Sequence, residues 1–251
     1  MAEHKITALV TGASSGLGAE FCRQLAERCS VIIAVARRHD RLEALREELS
    51  DRAEVHVVEA DLLTVEGVAH TMEMLRQKGP VDILVNNAGF SPYGDFIDSP
   101  IGQQREMLNL HCDVAITLTR AALPFMRERG AGSIINVSSL GSFLPGPKLA
   151  VYGGSKAFIN YFTLSLAREL EGAGIKVQAL CPGLVRTEIH EPMKSEGFSP
   201  SAFPNEMWME ASEVVCASLD ALAQDKLIVV PGEDNLALAK MGAKGLLDAL
   251  G

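Results

Sequence analysis

"ITALVTGASSGLGAEF", residues 6–21, joins a β-branched apolar run to a glycine-rich turn and then to a helical segment. "ITALV" has the make-up of a buried strand. Gly12, Gly16 and Gly18 follow in "TGASSGLG", and "AEFCRQLAERC" then carries apolar side chains at three- and four-residue spacing. Such a turn brings backbone close to a ligand, and the free N–H groups and dipole of the helix start attract an anion. An ordinary glycine-rich turn would look the same in isolation. Its place at the first strand-to-helix turn favours a dinucleotide phosphate.

Outward from this unit the alternation continues. "VIIAVA" (31–36), "EVHVVEA" (54–60), "DILV" (82–85), "SIINV" (133–137), "KVQAL" (176–180) and "LIVV" (227–230) read as further buried strands, seven in all with the first. Helical segments such as "RLEALREELS" lie between them, which predicts an α/β fold: a mostly parallel sheet with helices on both faces. With 251 residues, 47% of them hydrophobic, a single domain spanning 1–251 is expected. Periodicity is lost at about 186–209, where prolines and large apolar groups suggest a substrate lid.

A formal net charge of -9 argues against nucleic acid or an anionic membrane surface as partner, and no run approaches a membrane span. The five scattered cysteines lack metal spacing and read as reduced thiols of a cytoplasmic protein. His111 and His190 have no partner pattern that implies a metal. A small molecule is the expected partner.

"YGGSK" sets Tyr152 and Lys156 four residues apart, on one face of a helix. A carbonyl accepting hydride needs a proton donor, and an ammonium beside a phenol draws its pKa of about 10 downward. Ser139, or alternatively Ser138, stands just past the fifth strand, where active sites of open parallel sheets gather.

The spacing TGxxxGxG, followed in order by "NNAG" (86–89), "SIINVSS" (133–139), "YGGSK" (152–156) and "CPGLVRT" (181–187), resembles the short-chain dehydrogenase/reductase family over nearly the whole chain. The resemblance implies a Rossmann-like doubly wound fold and an oxidoreductase acting on a carbonyl or secondary alcohol. It implies Tyr152 as acid/base, Lys156 as the group that lowers its pKa and binds ribose, and Ser139 as holder of the substrate oxygen. Asn109 in "MLNLH" matches the asparagine that holds a relay water. Cofactor contacts implied in the same way are Gly12, Ser14, Ser15, Gly16, Leu17 and Gly18 at the phosphates and Asp61 and Leu62 at the adenine. Asn87, Ala88 and Gly89 line the ribose, while Pro182, Gly183, Val185 and Thr187 lie near the nicotinamide.

Cofactor choice is read at the end of the second strand. "VARRHD" offers Arg37 and Arg38 and no acid at the strand end itself, although Asp40 is near. A guanidinium there suits a 2′-phosphate, so NADP(H) is expected, with Arg37 the first candidate and Arg38 the next. A non-catalytic dinucleotide sensor, or an epimerase or dehydratase on the same scaffold, stays open as an alternative. The substrate walls, 140–147, "FSPYG" and the lid, suggest an apolar ketone or aldehyde, although the lid side chains could equally pack on themselves. Apolar stripes on helices expected at 101–129 (Met107, Leu110, Val114, Leu118) and 150–172 (Phe158, Phe162, Leu166, Leu170) point, by the same resemblance, to a homodimer or homotetramer.

Overall fold

The computed structural model describes residues 5–191, 193 and 196–250. Its strands are β1 (Thr7–Thr11), β2 (Val31–Ala36), β3 (Glu54–Glu59), β4 (Ile83–Asn86), β5 (Gly132–Val137), β6 (Ile175–Leu180), β7 (Leu184–Val185), β8 (Trp208–Met209) and β9 (Ile228–Val229). Seven of them form a sheet in the order β3-β2-β1-β4-β5-β6-β9. Every pairing in it is parallel. Each of the seven apolar runs read from the sequence is one of these strands. The pair β7–β8 makes a small second sheet, which the sequence did not suggest because each strand is two residues long.

Period-two alternation sends neighbouring side chains to opposite faces. Ala8 and Val10 enter one core with Ile32, Ala34 and Ala36. Leu9, Ile33 and Val35 enter the other. Helices α1 (Gly16–Leu25) and α2 (His39–Glu48) cover the first core through Phe21, Cys22, Leu25, Leu42 and Leu45. Helix α3 (Val65–Lys78) contributes Leu75 to the second. Since both faces are covered, the strands are apolar throughout. The order reverses where β1 lies between β2 and β4, the switch point at which ligands of such sheets bind.

The helix expected at 101–129 is divided. Helix α4 (Ile101–Leu108) leads into a π-turn at Asn109–Asp113, and α5 (Val114–Arg129) follows. The helix expected at 150–172 is α6 (Ala150–Glu169). The apolar stripes named from the sequence are spent mostly within the chain: Met107, Val114, Leu118, Leu166 and Leu170 are all buried. The outward apolar side chains are Leu108 and Ile116 on one rod and, on the other, Tyr161 and Leu164 together with Phe158 from the expected stripe. Helices α7 (Ala211–Ala223) and α8 (Glu233–Asp248) complete the chain. No helix among the described residues is long and apolar enough to cross a membrane.

One hydroxyl ties the switch point together. Thr11 Oγ1 accepts the backbone N–H of Asn87 (2.9 Å) and of Ala88 (3.0 Å). The Asn87 side chain returns a bond to the Thr11 carbonyl at 2.8 Å. Thr11→Val keeps the shape and leaves two backbone donors unpaired, so stability should fall by about 1–3 kcal/mol. Urea unfolding of the variant measures it; an unchanged midpoint would show the hydroxyl to be dispensable.

Candidate active site

At the phosphate turn, Gly12 holds φ +68°, a left-handed backbone that disfavours other residues. A Cβ on Gly18 would stand 2.2 Å from the Gly12 carbonyl oxygen, so helix and turn pack too closely for any side chain. Ser15 is the N-cap of α1 yet makes no side-chain cap, and the first turn's N–H groups keep their affinity for an anion. Leu17 packs against the first core.

Arg38 lies across this turn. Its Nε and Nη2 donate to Ser14 Oγ at 3.1 and 3.0 Å, and Nη2 donates to Ser15 Oγ at 2.6 Å. Its Nη1 donates to Glu188 Oε2 at 2.7 Å, and Arg41 binds the other oxygen of the same carboxylate at 3.2 Å. The Arg38 hydrogen bond holds the Glu188 carboxyl below its ordinary range. Arg37, the sequence's first candidate, is exposed and makes none of these contacts to the turn. Cation, free helix N-terminus and close-packed glycines together fit the phosphate end of a dinucleotide.

The remaining implied cofactor contacts divide between surface and core. Asp61 accepts the Leu63 N–H at 3.0 Å, while the Leu62 side chain is buried in the second core. The Asn87 amide is engaged in the strap to Thr11. Pro182 gives its carbonyl to the Leu140 N–H at 2.7 Å, Val185 is buried, and Thr187 comes within 3.1 Å of where a Cβ on Gly16 would stand.

Past β5 the chain turns through Ser138 and Ser139 into α6. Ser138 is buried and donates to the Lys156 carbonyl at 3.0 Å, so its hydroxyl is occupied in holding the helix. Ser139 is only partly covered and accepts the Gly141 N–H at 3.0 Å. Burial pushes the Tyr152 phenol up and the Ser139 hydroxyl pulls it back. This differs from the expected depression by Lys156, whose Nζ lies 5.7 Å from the phenol ring centre and donates to the Val137 carbonyl at 2.9 Å. Lys156 is itself buried, which lowers its pKa to about 8. The phenol is half-buried and lies beside a desolvated ammonium, and perturbed titratable groups of this kind mark candidate sites of proton transfer.

Asn109 does not join this group. It opens the π-turn and is exposed. The side chain that the turn carries inward is His111, 4% exposed, with its ring edge-on to Tyr152 at 5.9 Å between centres. The wider π-turn sets which side chain faces in. Spacing held a signal for it: His111 falls four residues after the buried Met107 and three before the buried Val114.

The lid expected at 186–209 folds over the turn and onto itself; residues 192, 194 and 195 lie outside the described residues. His190 stacks on Phe198 at 5.3 Å and meets Trp208 edge-on at 5.1 Å. Phe198 also packs on Phe203 and, from outside the segment, Tyr93. Among the described residues no group of His, Cys, Asp or Glu is placed to hold a metal.

Comparison with known proteins agrees with this architecture. The sequence model of the short chain dehydrogenase family matches residues 6–197. The chain is 36% identical over 190 residues to a short chain dehydrogenase of Pseudocercospora fijiensis, a match covering 74% of this chain and 62% of that protein. It is 33% identical over 218 residues to an oxidoreductase of Staphylococcus epidermidis, covering 86% and 90%. A short-chain dehydrogenase from Sphingobium yanoikuyae, solved in complex with NADPH, superposes with a TM-score of 0.84 at 31% identity over 96% of this chain and 95% of that one. The chain therefore belongs to the short-chain dehydrogenase family, oxidoreductases that bind a nicotinamide cofactor and act on small molecules.

Proposed function

We propose that this chain is a single-domain, cytoplasmic, NADP(H)-dependent reductase of carbonyl compounds, reversible toward the secondary alcohol, with an apolar ketone or aldehyde as substrate. The observation that carries the reading is the convergence of Ser139, Tyr152 and Lys156 at the carboxyl end of β5, where Gly141 packs against both Ser139 Oγ and the Tyr152 ring and Lys156 donates to the Val137 carbonyl. The glycine turn with Arg38, Ser14 and Ser15 would hold the dinucleotide, whose nicotinamide would supply a hydride for the carbonyl carbon. Negative charge then grows on the carbonyl oxygen; the Ser139 hydroxyl donates a hydrogen bond to it and the Tyr152 phenol gives it a proton. Lys156 faces the resulting phenolate with its ammonium and lowers the cost of that charge. An apolar substrate suits walls rich in aromatic side chains, as small-molecule sites usually are.

Tyr152→Phe keeps the ring and removes the proton. With NADPH and a panel of apolar ketones, turnover should fall by at least about 100-fold, in the usual range for an acid–base group. Near-normal turnover would reject the assignment.

The NADPH complex of the Sphingobium neighbour and the Arg38 fork on Ser14 and Ser15 both support NADP(H). Arg38→Ala should weaken NADPH binding by about 1.5–3 kcal/mol, the range for a charged hydrogen bond, while NADH changes little. Titrating both by fluorescence decides this. Equal losses would mean general damage to the turn.

Assembly is read from the outward apolar side chains of the α4–α5 rod and α6, which suit a two-fold pairing of copies through these helices. Light scattering should give a mass of at least twice the 26.9 kDa chain. A monomer at micromolar concentration would show these faces to be solvated.

A further inference from the structure

The carboxylate of Glu188 reaches from the lid onto the cations that flank the phosphate turn. Glu188 opens the short helical turn Glu188–His190, one residue after Thr187, which packs on Gly16. Its Oε2 accepts from Arg38 Nη1 at 2.7 Å and its Oε1 from Arg41 Nη1 at 3.2 Å. Arg38 is the residue before α2 and Arg41 stands three positions further on, so two guanidiniums from one helix start close on the two oxygens of a single carboxylate. The Arg38 bond holds the Glu188 carboxyl below its ordinary range, and the contact at neutral pH is between full charges.

The other nitrogens of Arg38 are taken by the turn itself. Nε and Nη2 donate to Ser14 Oγ, and Nη2 donates also to Ser15 Oγ. All three guanidinium nitrogens are thus engaged within the chain. A serine hydroxyl is neutral and can stay beside a bound anion. A carboxylate cannot, because it offers charged oxygens to the donors that a phosphate also needs.

These ion pairs are placed to exchange. The Arg38, Arg41 and Glu188 side chains are 43%, 51% and 45% exposed, and pairs this open to water hold weakly. A phosphate monoester carries a charge of about -1.5 to -2 at neutral pH on three terminal oxygens, more than a carboxylate offers the same guanidiniums.

We propose that Glu188 is a resident competitor for the cofactor's 2′-phosphate: it holds Arg38 and Arg41 in the free enzyme, gives them up when NADP(H) binds, and so sets how strongly the enzyme prefers NADP(H) over NAD(H). This rests on the reading of Arg38 as the 2′-phosphate cation. A merely structural ion pair behaves in the opposite way. Losing it would weaken the turn and with it both cofactors, whereas losing a competitor improves binding of the phosphorylated one alone.

The test compares the Kd of NADPH and NADH, which differ only in the 2′-phosphate, by calorimetry on the purified enzyme. Glu188→Gln keeps the length of the side chain and removes its charge. Its Kd for NADPH should fall about three- to tenfold, a modest gain because exposed ion pairs are weak, while that for NADH stays within about twofold. Glu206→Gln, at an exposed acid elsewhere in the lid, makes the same change in net charge and should leave both values where they are. Unchanged or weaker NADPH binding in Glu188→Gln would overturn the inference. So would an equal gain for both cofactors, or the same gain in Glu206→Gln, since either is the general effect of net charge on an anionic ligand. Should Glu188→Gln not fold, Glu188→Ala takes its place under the same criteria. Arg38→Ala, titrated alongside, keeps the two readings apart. Equal losses there for NADPH and NADH reject Arg38 as the phosphate cation, whereas a selective loss together with an indifferent Glu188→Gln rejects only the competitor.

Discussion

Thr11 Oγ1 accepts two consecutive backbone N–H groups from the end of β4, and Asn87 answers with its side chain onto the Thr11 carbonyl. These bonds span the place where the sheet reverses its order, which open α/β sheets leave as a crevice. On one side of the strap begins the glycine turn that fits the phosphates. On the other, Gly89 approaches His111 so closely that a Cβ would lie 2.6 Å from Nε2. The glycine turn and the Gly89–His111 contact thus flank a single buried hydroxyl.

The end of the crevice that holds Tyr152 and Lys156 depends on buried polarity without a counter-charge. An ammonium such as Lys156 is costly to bury unless hydrogen-bonded, and here it donates to a carbonyl, not a carboxylate. Desolvation therefore lowers the pKa of Lys156 while it raises that of Tyr152. A carboxylate partner would stabilise the ammonium further, but it would also repel any phenolate formed at Tyr152 in the proposed reaction. Neutral acceptors around Lys156 avoid that repulsion. Apolar packing on both faces of the sheet supplies the stability that such a site costs.

Much of this was legible in the amino-acid order. Strand runs such as "VIIAVA" are dictated by local chemistry, since only a strand covered on both faces tolerates six consecutive apolar residues. Tyr152 and Lys156 share a face because helix geometry puts them there, and the glycines of the first turn declare a close backbone approach. The choice between Ser138 and Ser139 was not decided by order alone. Extended backbone at the strand end sends them to opposite sides, and only the packed helix shows that Ser138 is engaged by the Lys156 carbonyl. Arg37 and Arg38 are equivalent as letters too; the direction of the chain leaving β2 brings Arg38 over the turn.

The clearest divergence is at Asn109. The family resemblance named that amide as the relay residue; in the structure it is exposed, and the π-turn adds a residue to the local repeat and brings His111 inward. No local propensity announces such a turn, because it is stabilised by what its inward side chains touch, here Ser155 and Tyr152. Sequence by itself determined the order of strands and helices, the phosphate turn and the pairing of phenol with ammonium, all of which follow from spacing within one element. Which side chain each element turns toward the site was decided only in the tertiary structure, because that depends on contacts between residues dozens of positions apart.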